Sequence, residues 1–233
     1  MPDNAVPVLL LTRPRHQADR FAAAMQARCG PVDTLIAPMQ EIVFYPVPDL
    51  PDGAVLVFTS ENGVRAVADV CLQGVTAYCV GTRTAKVALE AGFDAISAQG
   101  TAHELTALLL RDAPQAPVVH LHGTHVRGGV VARLGAAGLR AEGYTVYAQR
   151  ALPLTDTAKT LLTSDRRVVV PLFSPRSAAL FGRDCPNAAR PEILCISPAT
   201  RDALPLGLQE KAMIAETPDG EAMLRAVARQ LCH

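Results

Sequence analysis

The chain repeats one local pattern along its length: a short apolar run, a small or polar turn, and a helical stretch rich in Ala and Leu. Apolar, β-branched runs followed by Ser, Thr, Gly or Pro and then by helical periodicity indicate strand–helix units of a parallel sheet. The pattern occurs eight times, with the apolar runs beginning at Val6, Ala54, Thr76, Asp94, Pro117, Arg167, Glu192 and Ala212. We therefore expect an α/β fold built from eight such units.

The turns between strand and helix explain the switch in structure. Their Ser and Thr side chains can accept hydrogen bonds from the free N–H groups of the first helical turn. Pro at a helix start is tolerated because that position needs no N–H. The residues predicted at such starts are Pro14, Pro175, Pro198 and Pro218. Gly92 and Gly138 follow helical runs and are predicted to end them in the left-handed conformation.

Two segments break the pattern, residues 38–48 and 144–153, which are extended, rich in aromatic and β-branched residues, and bounded by Pro. Neither is followed by a predicted helix, so we interpret them as two paired linker strands. The four units between them then form one domain, residues 49–143. The first unit and the last three form a discontinuous domain, residues 1–37 with 154–233. The predicted fold class is thus two parallel-sheet βα domains joined by a two-stranded β linker.

Composition excludes several classes of function. Lys and Arg together number 22, as do Asp and Glu, so no global field favours nucleic acid or an anionic membrane. The chain has no Trp and only 4% aromatic residues, which argues against base-stacking platforms. The start of the sequence carries no basic n-region, and we expect a soluble cytoplasmic protein. The six cysteines show no C-x-x-C spacing, and we expect reduced core thiols.

Ligands of open parallel sheets bind where the strands end, beside helix N-termini that favour anions. Six of the eight turns carry a nearby Arg, which concentrates basic groups at this edge. These residues are Arg13, Arg65, Arg83, Arg127, Arg176 and Arg201. Neither G-x-G-x-x-G nor G-x-x-x-x-G-K-[ST] is present, so dinucleotide and P-loop chemistry lose their main support.

Two further clusters leave alternatives open. His120, His122 and His125 could hold a metal, but no carboxylate or Cys stands at ligand spacing, so a buried or turn-capping histidine cluster is favoured. Ser174 and Ser177 lie at a strand-to-helix turn where a nucleophile could be displayed. No matching His and acid can be argued from spacing, so helix capping or anion contact is favoured.

Over essentially its whole length the sequence resembles the uroporphyrinogen-III synthase family. The matching segments, in order, are LLLTRP, VFTSENGVRA, VGTRTAKVALEAGF, TVYAQR, FSPRSAALF and ISPATRDAL. The resemblance implies two α/β domains joined by a two-stranded ladder. It also implies a lyase that closes linear hydroxymethylbilane to a macrocycle, with loss of water and inversion of the last pyrrole ring, and that uses no metal or organic cofactor.

The resemblance also implies site residues. Tyr147 in TVYAQR matches the residue suspected of assisting hydroxyl loss. Substrate contacts are implied for the residues that match the remaining motifs, Arg13, Ser60, Thr84, Ser174 and Thr200. We expect a monomer whose partners are its small-molecule substrate and, through a transient handover, hydroxymethylbilane synthase.

The sequence departs from the family pattern in two places. Ser197 and Ala199 replace a smaller and a more polar residue, and HLHGTH carries additional histidine. Three other readings stay open: a two-lobed protein that binds a small polyanion without catalysis, a nucleotide-dependent enzyme with an atypical phosphate loop, and a scaffold without a ligand.

Overall fold

A computed structural model describes residues 6–70, 72–126 and 128–232. The strands are β1 (Val8–Leu11), β2 (Thr34–Ile36), β3 (Gln40–Phe44), β4 (Val55–Phe58), β5 (Thr76–Cys79), β6 (Asp94–Ser97), β7 (Val118–Gly123), β8 (Ala141–Ala151), β9 (Val168–Leu172), β10 (Glu192–Cys195) and β11 (Met213–Ile214). The helices are α1 (Arg15–Cys29), α2 (Glu61–Ala66), α3 (Thr82–Glu90), α4 (Ala102–Asp112), α5 (Val130–Ala136), α6 (Asp156–Leu162), α7 (Pro175–Asp184), α8 (Pro198–Asp202), α9 (Leu206–Gln209) and α10 (Gly220–Leu231).

The chain divides into two compact units, unit 1 (Met1–Glu41 with Arg150–His233) and unit 2 (Ile42–Gln149). Each unit contains one sheet with helices on both faces. The predicted α/β fold class with parallel sheets is confirmed, and each of the eight predicted strand–helix units supplies one strand and one helix.

Unit 1 has a five-stranded sheet in the order β11-β10-β9-β1-β2, with every neighbouring pair parallel. Its strands are apolar on both faces because each face is covered. Leu9 and Leu11 pack with Phe21 of α1 and Met223 of α10. Residues that alternate with them, such as Leu10, pack on the other face with α6 and α7.

Unit 2 has a six-stranded sheet in the order β3-β8-β7-β4-β5-β6. Leu56 and Phe58 pack on the face covered by α2 and α3. Val57 and Tyr78 pack on the face covered by α4 and α5. This alternation along β4 follows the two-residue period of a strand.

The chain passes between the units within β3 and again within β8. The two strands are neighbours in the sheet order. The Tyr45 N–H donates to the Val146 carbonyl at 2.9 Å, and the Leu152 N–H donates to the Met39 carbonyl at 2.9 Å. Partner numbers therefore fall along one segment as they rise along the other, as in antiparallel pairing. Arg150 and Glu41 add an ion pair.

The helix starts and ends predicted from Pro and Gly are confirmed at some positions and wrong at one. Gly92 and Gly138 follow α3 and α5 with φ of 90° and 87°, as predicted for left-handed helix ends. Pro175 and Pro198 begin α7 and α8, and Pro14 is the N-cap residue of α1. Pro218 does not begin a helix, since Asp219 caps α10 and accepts from the Ala222 N–H at 2.8 Å. The expectation for Pro218 is therefore wrong by two residues.

The expectation that all six cysteines are reduced is also wrong. Cys29 and Cys232 form a disulfide with their Cα atoms 5.6 Å apart. They stand at the ends of α1 and α10, which pack against the same face of the unit 1 sheet. Because the two cysteines have a sequence separation of 203, no local spacing in the sequence indicated the pair. Cys79, Cys185 and Cys195 are free.

Candidate functional site

Each sheet has one position where strand order reverses, and such positions are where open α/β sheets bind ligands. In unit 2 it lies between β4 and β7, whose following helices cover opposite faces. Ser60 follows β4, and Gly123 ends β7. In unit 1 it lies between β1 and β9, which are followed by Arg13 and Ser174. Three residues that were predicted to contact substrate, Arg13, Ser60 and Ser174, therefore lie where the strand order reverses. Gly123, for which no role was predicted, lies there as well.

Tyr147 is the predicted catalytic residue, and its side chain is buried in unit 2. It lies on β8, pairs with Gly123 of β7, and is 8% exposed. Burial raises the pKa of the Tyr147 phenol, and hydrogen bonds with the Ser60 side chain and the Gly123 main chain act in the opposite direction. The phenol is therefore protonated at neutral pH and remains hydrogen-bonded.

A small cavity of about 50 Å³ opens beside this phenol, lined by Gly123, Thr124, His125, Tyr147 and Gln149. The Thr124 N–H donates to the main-chain carbonyl of Tyr147 at 3.0 Å, which fixes the turn after β7 to β8. The cavity is lined mainly by polar groups, so it suits a polar substituent rather than a hydrocarbon.

Ser60 has a second role at the start of a helix. It is the N-cap residue of α2, where its hydroxyl oxygen accepts from the Asn62 N–H at 3.2 Å. The next residue, Glu61, is 6% exposed and forms an ion pair with Arg83 at 3.2 Å. Arg83 was one of the turn arginines expected to favour anions, and in the structure it neutralises this buried carboxylate.

Thr84 lies in the first turn of α3 and is 5% exposed. The N-cap residue of α3 is Gly81, which supplies no side-chain cap. The first N–H groups of this helix therefore have no hydroxyl or carboxylate of the N-cap residue as an acceptor. The structure brings Tyr147 and Ser60 into hydrogen-bond contact, whereas Thr84 lies in the helix that follows β5, the strand next to β4.

In unit 1, Arg13 stacks over Phe173, with the guanidinium carbon 3.8 Å from the ring centroid, and its Nε donates to Gln17 at 3.2 Å. Ser174 follows Phe173 and caps α7, where its hydroxyl accepts from the Ser177 N–H at 3.1 Å. The Ser177 hydroxyl in turn accepts from the Ser174 N–H at 3.0 Å. This reciprocal arrangement is a helix cap, and it favours capping over a nucleophile for both serines.

Thr200 is fully buried in α8, and its hydroxyl lies 3.0 Å from that of Ser197. Ser197 caps the helix by accepting from the Thr200 N–H at 3.3 Å. The serine that departs from the family pattern therefore contributes a helix cap. Arg13, Ser174 and Thr200 all follow adjacent strands of the unit 1 sheet, whereas Ser60, Thr84 and Tyr147 belong to unit 2.

The histidine segment is divided by the structure. His120 is 1% exposed, and its Nε2 lies 3.1 Å from the Thr59 hydroxyl. His122 is half-buried, and its Nδ1 lies 2.9 Å from the Gly123 carbonyl. His125 lies in the turn, beside Thr124. Among the residues that the structure describes, no group of three or more His, Cys, Asp or Glu side chains could hold a metal ion.

Sequence reasoning assigned no role to Gly123, although this glycine contacts the Tyr147 ring. The available signal was a glycine at the end of an apolar strand, directly before a polar turn. Arg127, one of the turn arginines, lies outside the described residues. Within the part of the chain that is described, no helix has the length and apolar character needed to cross a membrane.

Two α/β units, each with polar side chains where its parallel strands reverse order, define a class of two-unit α/β proteins that bind ligands at strand ends. A family model described as "Uroporphyrinogen-III synthase HemD" matches residues 19–225. The chain therefore belongs to the uroporphyrinogen-III synthase family. It is an enzyme of tetrapyrrole biosynthesis, a lyase that cyclises hydroxymethylbilane to uroporphyrinogen III, as the motifs predicted.

Solved structures agree on the fold. The uroporphyrinogen-III synthetase of Helicobacter pylori 26695 is 20% identical, with a TM-score of 0.68 over 96% of this chain and 99% of that one. A mutant uroporphyrinogen III synthase from the extremely thermophilic bacterium Thermus thermophilus is 18% identical, with a TM-score of 0.53 over 97% of this chain and 98% of that one. A search of curated proteins found no match to this sequence.

Proposed function

We propose that Tyr147 is the general acid with which this chain converts hydroxymethylbilane to uroporphyrinogen III. The observation that carries the proposal is the buried phenol held by Ser60 and Gly123 where strand order reverses in unit 2. A general acid must be within hydrogen-bond reach of the leaving group and must carry a proton at the working pH. A phenol with a raised pKa meets the second condition, and the cavity beside it gives room for the first.

The reaction begins with loss of the hydroxyl from the first pyrrole ring. The phenol donates its proton as the C–O bond breaks, so that water leaves and an azafulvene forms. The substituted carbon of the last ring attacks this electrophile to give a spiro intermediate, which fragments and recloses at the other carbon. That ring then loses a proton, which restores the phenol, and the sum is the macrocycle plus one water.

Selectivity depends on holding one conformation, because the linear tetrapyrrole also closes without inversion in solution. Orientation of well-placed reacting groups contributes roughly 7–11 kcal/mol in favourable intramolecular reactions. We propose that the eight substrate carboxylates are held through Arg13, Ser60, Thr84, Ser174 and Thr200 and the helix starts beside them. The steps are acid-assisted C–O cleavage, carbon–carbon bond formation and cleavage, and proton transfer, so the proposed mechanism uses no metal or organic cofactor.

Replacement of Tyr147 by Phe tests the acid. Phe keeps the ring and removes only the hydroxyl, so we expect kcat to fall about 100-fold, within the range of general acid catalysis. The lost hydrogen bonds cost about 0.5–1.5 kcal/mol each, and the variant should remain folded. The measurement is the rate of uroporphyrinogen III formation, corrected for spontaneous closure.

Tyr144→Phe is the matched control. Tyr144 lies on the same strand, but its phenol donates to Glu142 at 2.8 Å rather than contacting Ser60. Its loss should leave kcat unchanged. A Tyr147→Phe enzyme with the wild-type rate would exclude the phenol as the acid. Substrate binding by the wild-type protein without turnover would instead favour a two-lobed binding protein.

We also propose that the chain acts as a cytoplasmic monomer and receives its substrate from hydroxymethylbilane synthase by transient handover. The spontaneous closure of the free substrate in solution supports the handover, because a short time in solution limits formation of the uninverted isomer. Sedimentation should give a single species near 24.7 kDa. In assays coupled to hydroxymethylbilane synthase, adding a protein that binds neither enzyme should not change the fraction of inverted product.

A further inference from the structure

Gly123 is packed against the ring of Tyr147 more closely than any residue with a side chain could be. A Cβ built on Gly123 would lie 2.6 Å from Cε2, 2.7 Å from Cζ and 3.1 Å from the phenol oxygen of Tyr147. Non-bonded carbon atoms prefer separations of about 3.5–4.0 Å. Tyr147 is itself only 8% exposed and packs in the core of unit 2, which limits the movement of its ring.

The need for glycine at this position is steric. Gly123 is absent from the glycines with positive φ, so its backbone conformation is one that other residues can adopt. Gly128 and Gly129, a few residues later, have φ of 87° and 56° and serve the turn instead. The absence of a Cβ at Gly123 therefore accommodates the aromatic ring rather than a backbone turn.

A β-bulge sets the ring over this glycine. Along β7 and β8, Leu121 pairs with Tyr144 and His122 with Thr145, but Gly123 pairs with Tyr147. Val146 is the extra residue, and the register shifts between His122 and Gly123. Bulges redirect the side chains that follow them, and they are common beside active sites. Here the shift places Tyr147 directly opposite the residue that has no side chain.

We propose that Gly123 is a positioning residue for the Tyr147 phenol. By leaving the space of a Cβ empty, it lets the ring lie against the main chain of β7, where the phenol oxygen reaches both Gly123 and Ser60. The effect on turnover rests on the proposed acid role of Tyr147. The placement of the phenol does not rest on that role and can be measured separately.

Gly123→Ala tests the proposal. Relief of the contact requires the ring to shift by about 1 Å, and misplacement of that size can cost 100-fold in rate. We expect kcat to fall 10- to 100-fold with KM within about threefold of wild type. The pKa of the phenol should move toward the ordinary value as the ring leaves its buried position. It is followed by NMR of ¹³Cζ-labelled tyrosine, with the Tyr147 signal assigned by its loss in Tyr147→Phe.

Two glycine variants serve as controls. Gly135→Ala places a Cβ in open space on α5, and it should change neither readout. Gly182→Ala places a Cβ 2.2 Å from Pro205 in the other unit. It should lower stability without changing the Tyr147 titration. A change in that titration in Gly182→Ala would mean that the readout reports general destabilisation, and it would overturn the interpretation.

A double-mutant cycle distinguishes action through Tyr147 from other damage. In the Tyr147→Phe background, Gly123→Ala should cost less than threefold further in kcat, because the group that it positions is already absent. Full additivity, or an unchanged phenol titration in Gly123→Ala, would overturn the proposal. If Tyr147→Phe retains wild-type activity, the acid role fails, and the titration still decides whether Gly123 places the phenol.

A rescue variant covers the case in which Gly123→Ala does not fold. Leu at position 147 lacks the ring atoms that the new Cβ would meet, so Gly123→Ala with Tyr147→Leu should recover a cooperative thermal transition. Failure of this double variant to fold, when Tyr147→Leu alone folds, would show that the glycine is required for contacts other than the ring.

Discussion

His120 is a buried histidine whose protonation opposes folding, and this gives a prediction that can be worked through in numbers. It is 1% exposed in β7, and its Nε2 lies 3.1 Å from the Thr59 hydroxyl. Its Nδ1 is buried and has no hydrogen-bond partner among the residues that the structure describes. Burial, and then the charge of His122, lowers the pKa of His120 from 6.5 to about 4.

The sign follows from the protons bound in each state. Between pH 6.5 and about 4 the unfolded chain protonates this histidine while the folded chain does not. Stability is therefore complete above about pH 6.5 and is lost as pH falls toward 4. Lowering the pKa of His120 from 6.5 to about 4 corresponds to about 3 kcal/mol. At pH 4.5 most of this loss, about 2–3 kcal/mol, is already present.

The assay is urea unfolding followed by circular dichroism at pH 7.5 and 4.5, with each transition fitted separately because the chain has two units. His120→Gln cannot titrate, so it should lose about 2–3 kcal/mol less than wild type between these pH values in the transition of unit 2. His103→Gln, at an exposed site, is the control and should behave like wild type. If the free energy of unfolding fell equally in His120→Gln and wild type between pH 7.5 and 4.5, protonation of His120 would not be the cause of the loss.

Two further predictions concern substrate contacts and the disulfide. Thr84→Val and Thr200→Val each remove one hydroxyl from a buried site. Each should raise KM about three- to tenfold in steady-state kinetics while leaving a folded enzyme. If either change alone abolished activity, the substrate carboxylates would not be held by several residues that share the binding. Reduction of Cys29–Cys232, which closes a loop with a sequence separation of 203, should destabilise unit 1 by up to about 5 kcal/mol in the chain-entropy model. A urea transition of unit 1 that is identical with and without reductant would contradict that contribution.

The strands and helices that the sequence predicted share a clear local signal. Continuous apolar runs such as β1 and β9 are buried on both faces, and β9 is followed two residues later by Ser174, which caps α7. β2 was missed because it has three residues that are only half-buried at the sheet edge. α6 and α9 were missed because neither follows one of the eight apolar runs. α6 comes after β8, the second linker strand, where no helix was expected, and α9 comes directly after α8.

The site was predictable only as separate motifs. Ser60 and Tyr147 matched family segments, but their hydrogen bond depends on the strand order that brings β4, β7 and β8 together. Gly123 was not found because its role depends on a bulge between neighbouring strands, which leaves no mark on one strand read alone. The Cys29–Cys232 pair likewise depends on the packing of the first and last helices of unit 1.

The most direct test of the account is to give freshly generated hydroxymethylbilane to the purified, metal-stripped protein, oxidise the products and separate the porphyrin isomers. If the chain is a uroporphyrinogen-III synthase, the isomer with the inverted ring predominates and forms faster than the uninverted isomer forms by spontaneous closure. Formation of only the uninverted isomer, at the uncatalysed rate, would contradict it.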